Sequence, residues 1–360
     1  MTLAIVLSAV LLLLVLVLGL VLPSVADPTV PFGVRIPADR LDEPVVRRQT
    51  RLYRWRVLTS GVVAAALCVA VYAVTGVILM LPLAVLVLVG LWYGCFIAAH
   101  HAMHAAKAAG GWFAGTRQAI AVDTDLRVRP PHFPWLWLAP AVLITAATLV
   151  LGILLYPSMP HTLAVHYGAR GVPDRLVTKS VGSAFSLVFL QLGITALFAG
   201  IAAGIVRSRA DVDPSRPVQS AHWFRQYMVL GARSLLTLAA AIDLGMLASS
   251  LLMWTGTVTS WAPLVIVVPV MAGVLATVVV IARHNRGPDP SGERTGFTHR
   301  DDDRFWVGGL IYVNRRDVAL LVPRRYGIGW TINLGNPRAA MLLAGIVAVV
   351  ALAVLLRFGA

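Results

Sequence analysis

Acidic residues are scarce in this chain. Only 16 of its 360 residues are Asp or Glu, and just two of those are glutamates, Glu43 and Glu293. Charged residues make up 13% of the total against 58% hydrophobic, whereas a soluble globular protein carries about 25% charged and just under half apolar. That shortage excludes a water-soluble enzyme as the ordinary reading, and the apolar surplus excludes intrinsic disorder. Cysteine is nearly absent too. Cys68 lies inside one apolar run and Cys95 near the end of another, so no disulfide framework is indicated. Catalytic signatures are likewise missing: there is no Gly-x-Ser-x-Gly elbow, no His-Glu-x-x-His, no P-loop and no pair of carboxylates within an apolar run. The chain therefore reads as a non-enzyme, with no catalytic residues, no cofactor and no metal.

What is abundant is long apolar sequence. A bilayer core of about 30 Å takes roughly 20 helical residues, and eight runs approach that length: 3–22, 58–74, 77–99, 135–155, 184–206, 235–254, 262–282 and 339–356. The expected class is an all-α integral membrane protein of about eight transmembrane helices, with a small β-rich cytoplasmic insert before the last. Ser24-Val25-Ala26 resembles a signal-peptide cleavage site. The preceding run is longer than a signal core, however, and seven arginines follow it, so an uncleaved first helix is expected.

The formal net charge of +14 would point to nucleic acid in a soluble protein, but its placement says otherwise. If the N-terminus lies outside, segments 23–57, 100–134, 207–234 and 283–338 are cytoplasmic and hold 7, 4, 5 and 10 of the Lys and Arg, 26 in all, against 4 outside. The positive-inside rule then predicts a multi-pass cell-membrane protein with both termini extracytoplasmic, lipid as its main partner and no nucleic-acid partner. By span and loop, the chain divides into a three-span region 1–134, a span–outer loop–span unit 135–206, a two-span region 207–282, a linker and small aromatic-basic domain 283–337, and a last span 338–360.

Few residues escape this topological account. Asp243 is the one acid in the middle of a span, with Gln191 at similar depth in another, and a charge there costs at least ~2.5 kcal/mol on insertion scales. The pair reads either as a proton or cation point or as a neutral interhelix hydrogen bond. His100 and His104 share a helical face at i, i+4, a spacing that could hold a metal, although a headgroup-facing cluster is the plainer reading. The outer loop 157–183 gathers His166, Asp174 and Lys179, a base, an acid and a cation that could bind a polar ligand or simply brace a turn. The insert holds Trp306, Tyr312, Arg324, Arg325, Tyr326 and Trp330, a set suited to anionic headgroups or to a cytoplasmic partner. Residues 284–300 before it read as a flexible linker.

Pro160, His166-Tyr167, Gly171, Pro173-Asp174 and Lys179 resemble the signature of the bacterial membrane family called domain of unknown function 1648, although Gly168 and Leu176 depart from it. That domain often precedes the helices of SdpI-type immunity proteins. Two more segments are similar to parts of such proteins: Pro31-Phe-Gly-Val-Arg-Ile-Pro37, which reads as a rigid elbow, and the Asp301–Asn314 and Val322–Pro337 stretches, which look like a short uncharacterised C-terminal domain. The resemblance implies a non-catalytic immunity or signal-transducing protein. It would recognise an extracellular peptide or envelope signal through the 157–183 loop and engage a cytoplasmic regulator through the insert. The alternative from another class is a proton-coupled transporter using Asp243.

Overall fold

The computed structural model describes residues 2–75, 80–121, 123–167, 173–259, 261–284, 294–326, 329–341, 343–344 and 347. The α-helices include α1 (Thr2–Val25), α2 (Pro44–Thr75), α3 (Met80–Gly110), the short α4 (Thr124–Val128), α5 (Trp135–Leu155), the one-turn α6 (Val181–Ala184), α7 (Ser186–Val206), α8 (Pro217–Thr255) and α9 (Leu264–His284), and residues 337–341 are helical as well. The strands are β1 (Gln118–Ala119), β2 (Thr162–Tyr167), β3 (Pro173–Thr178), β4 (Thr298–His299), β5 (Trp306–Val307), β6 (Ile311–Tyr312), β7 (Leu321–Pro323) and β8 (Trp330–Ile332). They form four two-stranded sheets: β1 with β4 in parallel, and β2–β3, β5–β6 and β7–β8 as antiparallel pairs.

Five helices are long and apolar enough to cross a membrane: α3 from Leu83, α5 with the turn after it, α7, α8 and α9. They correspond to the third through seventh apolar runs, and they make this a multi-pass membrane protein. The remaining three of the eight expected spans are not shown among the described residues. α1 covers the first run. α2 opens with fourteen residues carrying five arginines, and the eighth run falls largely outside the described residues.

Burial along these helices is inverted relative to a water-soluble protein. On α5 the buried residues are Ala141, Thr145, Thr148 and Gly152, while Leu136, Leu143 and Leu154 are exposed by 67–87%. On α7, Gln191, Thr195 and Ala202 are buried and Phe189, Leu190, Leu192 and Leu197 face outward. Small and polar residues at the helix contacts with large aliphatic ones outside is the arrangement that hydrocarbon solvent favours. α5 and α9 run on through Pro140 and Pro269 as single helices, so neither is broken there.

The chain packs as two compact units that interleave in sequence. One comprises 1–11, 130–207 and 226–284, the other 12–129, 208–225 and 285–360. The linear division expected from the spans joins residues differently, because the elbow after α1 and the C-terminal insert belong to one unit.

In the first unit, glycines set the helix approaches. A Cβ at Gly152 would stand 2.7 Å from Phe185 and 2.9 Å from Trp254, and one at Gly245 would stand 2.9 Å from the Ile266 backbone. The β2–β3 hairpin and α6 cover the end of this packing through a core of Met159, Leu163, Ala184, Phe185, Val188, Met253 and Trp254.

In the second unit, α2 and α3 pack along each other, and the core at their basic ends is Phe32, Val34, Ile36, Tyr53, Val57, Phe96, Met103, Trp112 and Tyr326. The insert is more ordered than two or three strands and a linker. Its described residues hold β4 to β8, and the end of the expected linker is pinned, since Thr295 donates from its N–H to Ser215 O at 3.1 Å and from its hydroxyl to Pro214 O at 2.6 Å.

Candidate functional site

The elbow after α1 is the keystone of the second unit. Pro31 and Pro37 restrict its entry and exit, while Phe32 and Gly33 both take left-handed backbone, with φ of 51° and 76°. A non-glycine residue in that region is strained. Here it is held by packing: the Phe32 ring is fully buried, 5.4 Å from Tyr53, 5.8 Å from Tyr326 and 6.3 Å from Phe96. The turn aims two carbonyls outward. Phe32 O bonds His100 Nδ1 at 2.8 Å, and Gly33 O accepts from Arg325 Nη1 at 3.0 Å. His100 is therefore a latch on the elbow. Its ring lies nearly parallel to Phe96, with centroids 6.1 Å apart, and His104 beside it is exposed.

Around the elbow sits an ion network drawn from four distant segments. Arg35 Nη2 donates to Asp211 at 2.9 Å, its Nε reaches Asp302 at 3.4 Å, and its backbone N–H bonds Asp303 Oδ1 at 3.0 Å. Lys107 Nζ bridges Asp301 at 2.7 Å and Asp303 at 2.5 Å. Arg325 forks between Asp302 and Asp303 and stacks over the Trp306 ring, 4.9 Å from its centroid. All three cations are buried. Burial alone would raise the Asp211 carboxyl, but Arg35, His299 and Arg209 reverse the sign and hold it well below the usual carboxylate range. Asp303 follows the same pattern, with Arg325 and Lys107 overriding burial. His299 approaches Asp211 at 4.0 Å and Asp213 at 3.8 Å, yet burial and then Arg35 push it below its ordinary value.

These directions predict a two-step acid response. A histidine depressed in the folded state contributes stability that is complete above about pH 6.5 and lost as pH falls below that. The depressed Asp211 and Asp303 add a second loss, starting below about pH 4. Hydrogen exchange of residues 294–326 against pH should show both steps, and His299→Gln should reduce the first and keep the second. A single step in the unmodified protein would refute the assignment.

The insert's six expected contact residues are placed unequally. Trp306, Tyr312, Arg325 and Tyr326 are buried within the module, where they hold it together. Tyr312 donates to Asp317 Oδ2 at 3.0 Å. Trp330 is half-buried, with Nε1 donating to Ser208 at 2.8 Å. Arg324 is exposed. Buried Asn333 joins the hairpins: its amide donates to the Asn314 and Asp317 carbonyls, and its oxygen accepts the N–H of Asn314 and Gly335, all at 3.0 Å. The exposed charges among described residues 301–341 are Arg304, Arg315, Arg316, Arg324 and Arg338, because each acid there is paired inward.

In the first unit, Gln191 and Asp243 do meet, although the amide bonds the wrong part of Asp243 for a simple side-chain pair. Gln191 Nε2 donates to the Asp243 backbone carbonyl at 2.8 Å and to Thr148 Oγ1 at 3.1 Å, while the carboxyl takes the Thr195 hydroxyl at 2.7 Å. Thr145 also stands beside the carboxyl. The signal for these partners was present: Thr145 and Thr148 at i, i+3, and Gln191 and Thr195 at i, i+4, are polar stripes on otherwise apolar spans.

His166, Asp174 and Lys179 lie on or beside one hairpin, β2–β3. His166 is registered against Arg175, and Asp174 lies on the exposed β3. Lys179 turns inward, donating to Met159 O at 3.1 Å and Tyr156 O at 3.3 Å, with its ammonium 5.2 Å above the Tyr156 ring. It therefore braces the turn after α5. The same end of the hairpin is fixed by the Ser180–Ser183 capping box of α6 and by Trp254 Nε1 donating to Ala184 O at 2.8 Å. Lys179→Met should cost about 1.5–3 kcal/mol by stranding these carbonyls and should speed proteolysis of the hairpin. Unchanged proteolysis would return Lys179 to ligand binding. Among the described residues no group of three or more His, Cys, Asp or Glu could hold a metal ion.

Comparison with known proteins divides along the same lines. No curated protein and no solved structure matches the chain. Residues 143–192, which run from α5 through the β2–β3 hairpin into α7, match a domain of unknown function (DUF1648). Residues 315–339, the part of the insert that Asn333 ties together, match a family of unknown function (DUF5808).

Proposed function

We propose that this multi-pass membrane protein is a non-catalytic immunity or signal-transducing protein of the SdpI-like kind. Its outer hairpin receives a peptide or envelope signal, and its arginine-rich insert meets the cytoplasmic face. The observation that carries this is the two-sided character of the hairpin. One side is braced on the helices by Leu163, Lys179 and α6, while Val165 and Leu176 are 39% and 59% exposed beside the charged Asp174 and Arg175. A two-stranded hairpin also leaves both outer edges able to pair with an extended peptide, the mode known as strand addition. In the orientation proposed, with both termini outside, the five exposed arginines of the insert meet anionic lipid or an acidic regulator.

The test is sensitivity of cells lacking the gene to a co-produced peptide, with rescue by the intact gene. Leu176→Asp should fail to rescue while the protein still reaches the membrane, and full rescue by it would sink the hairpin as receptor. Labelling from outside of a cysteine placed at Arg47 would overturn the orientation. A second reading, a proton-coupled transporter, is favoured by buried Asp243. Uptake that depends on a pH gradient and is lost in Asp243→Asn would select it.

A further inference from the structure

Asp243 is the only charged residue in segments 135–155, 186–206 and 234–282. Those segments supply α5 and α7, whose side chains surround its carboxyl, and the stretch of α8–α9 where Gly245 lies against Ile266. No Lys, Arg or His is available there to balance a carboxylate. The side chain is fully buried. Three oxygens in this small cluster are buried and make no hydrogen bond of ordinary geometry: Asp243 Oδ1, Gln191 Oε1 and Thr145 Oγ1, the last close enough to the carboxyl to interact with it. Gln191 and Thr195 have already committed their donors elsewhere, to the Asp243 carbonyl, Thr148 and Asp243 Oδ2. An unpaired charge and poorly bonded oxygens in hydrocarbon are each costly, and here they coincide.

We propose that this cluster is a binding site for one small monocation, a proton or a sodium-sized ion, centred on Asp243 Oδ1 with Gln191 and Thr145 as the further oxygen ligands. The charge balance requires one unit of positive charge, since a divalent ion would leave the apolar bundle positive. The donor set is oxygen only, which suits a hard cation. A proton on Oδ1 would satisfy that atom and one acceptor, and a sodium ion would draw on all three. The site holds under either reading of the protein's overall function.

The experiment uses the full chain in neutral-lipid nanodiscs, in a His299→Gln background that reduces the acid response of the second unit, and each response is read as the difference from Asp243→Asn in that same background. Thermal unfolding is followed from pH 5 to 9 in choline chloride, and at one neutral pH with sodium replacing choline at equal ionic strength. If a proton is bound, the midpoint should fall by about 3–5 °C as pH rises, and a carboxylic-acid infrared band should vanish in Asp243→Asn. If sodium is bound, the midpoint should rise by a similar amount on adding sodium, and Thr145→Val should weaken that response. Either dependence must be absent from Asp243→Asn. Should Asp243→Asn not fold, Thr195→Val serves in its place, and its midpoint should shift along the same axis. Identical pH and sodium responses with and without Asp243, and no acid band assignable to it, would overturn the site.

Discussion

Replacing Arg325 by methionine should unlatch the C-terminal insert, at a cost of about 3–5 kcal/mol. The guanidinium is only 3% exposed and is bonded to Asp302, Asp303 and the Gly33 carbonyl at once. Methionine fills the volume over the Trp306 ring but leaves two half-buried carboxylates short of their main counter-ion. Arg35 and Lys107 remain, so the loss should be confined to the insert and the elbow. Tryptic cleavage after exposed Arg315 and Arg316 gives the readout, as does hydrogen exchange of residues 301–326. The control is Arg316→Met, an exposed neighbour, which should stay within about 0.5 kcal/mol of the parent. Equal cleavage of the two variants would show that the network contributes little to holding the insert.

Gly33→Ala is the second large effect. Residue 33 has a φ of 76°, where an alanine is strained by roughly 1–2 kcal/mol. Its Cβ would also fall 2.5 Å from the carbonyl oxygen of Gly309, whose own φ is 72° and whose Cβ would in turn meet His100 at 2.8 Å. These are backbone and ring atoms that cannot swing away, so overpacking adds about 1–3 kcal/mol more. The expected sum of about 2–5 kcal/mol should appear as a lowered unfolding midpoint and freer His100. Gly90→Ala, on the same unit with open space around its Cβ, should be neutral or stabilising by up to about 1 kcal/mol. A Gly33→Ala protein as stable as Gly90→Ala would refute the close backbone approach.

Much of the fold could be read from hydropathy alone, because in hydrocarbon the backbone must bond within each helix and so a long apolar run leaves few alternatives. The third to seventh runs became α3, α5, α7, α8 and α9 on that ground. The hairpin at 162–178 was anticipated only as a loop, since its strands alternate weakly and depend on Leu163 and Val177 finding the Met159–Trp254 core. The sites were legible in fragments. Asp243 and Gln191 stand out by polarity, and their neighbourhood is real. Arg35 and Lys107 were hidden, because in a count of loop charges a buried, paired cation looks the same as one facing headgroups. The aromatics of the insert are legible only in part for a related reason: composition marks Trp306, Tyr312 and Tyr326 as sticky, and their partners within the chain, Asp302, Asp317 and the Phe32 ring, come from the fold. Nothing in local spacing links Arg35 to Asp302 and Asp303, as the pairing spans more than 260 residues.

That span has a consequence for how the molecule is made. At roughly 5–20 residues per second, the elbow leaves the ribosome about 15–55 s before the aspartates and Arg325 that complete its surroundings. Throughout that interval Arg35 has no carboxylate from the insert, and Phe32 lacks Tyr326, one of the rings that hold its left-handed turn. The newborn α2–α3 pair therefore carries an open, basic and aromatic notch at its end. A nascent chain halted near residue 290 would keep that notch open.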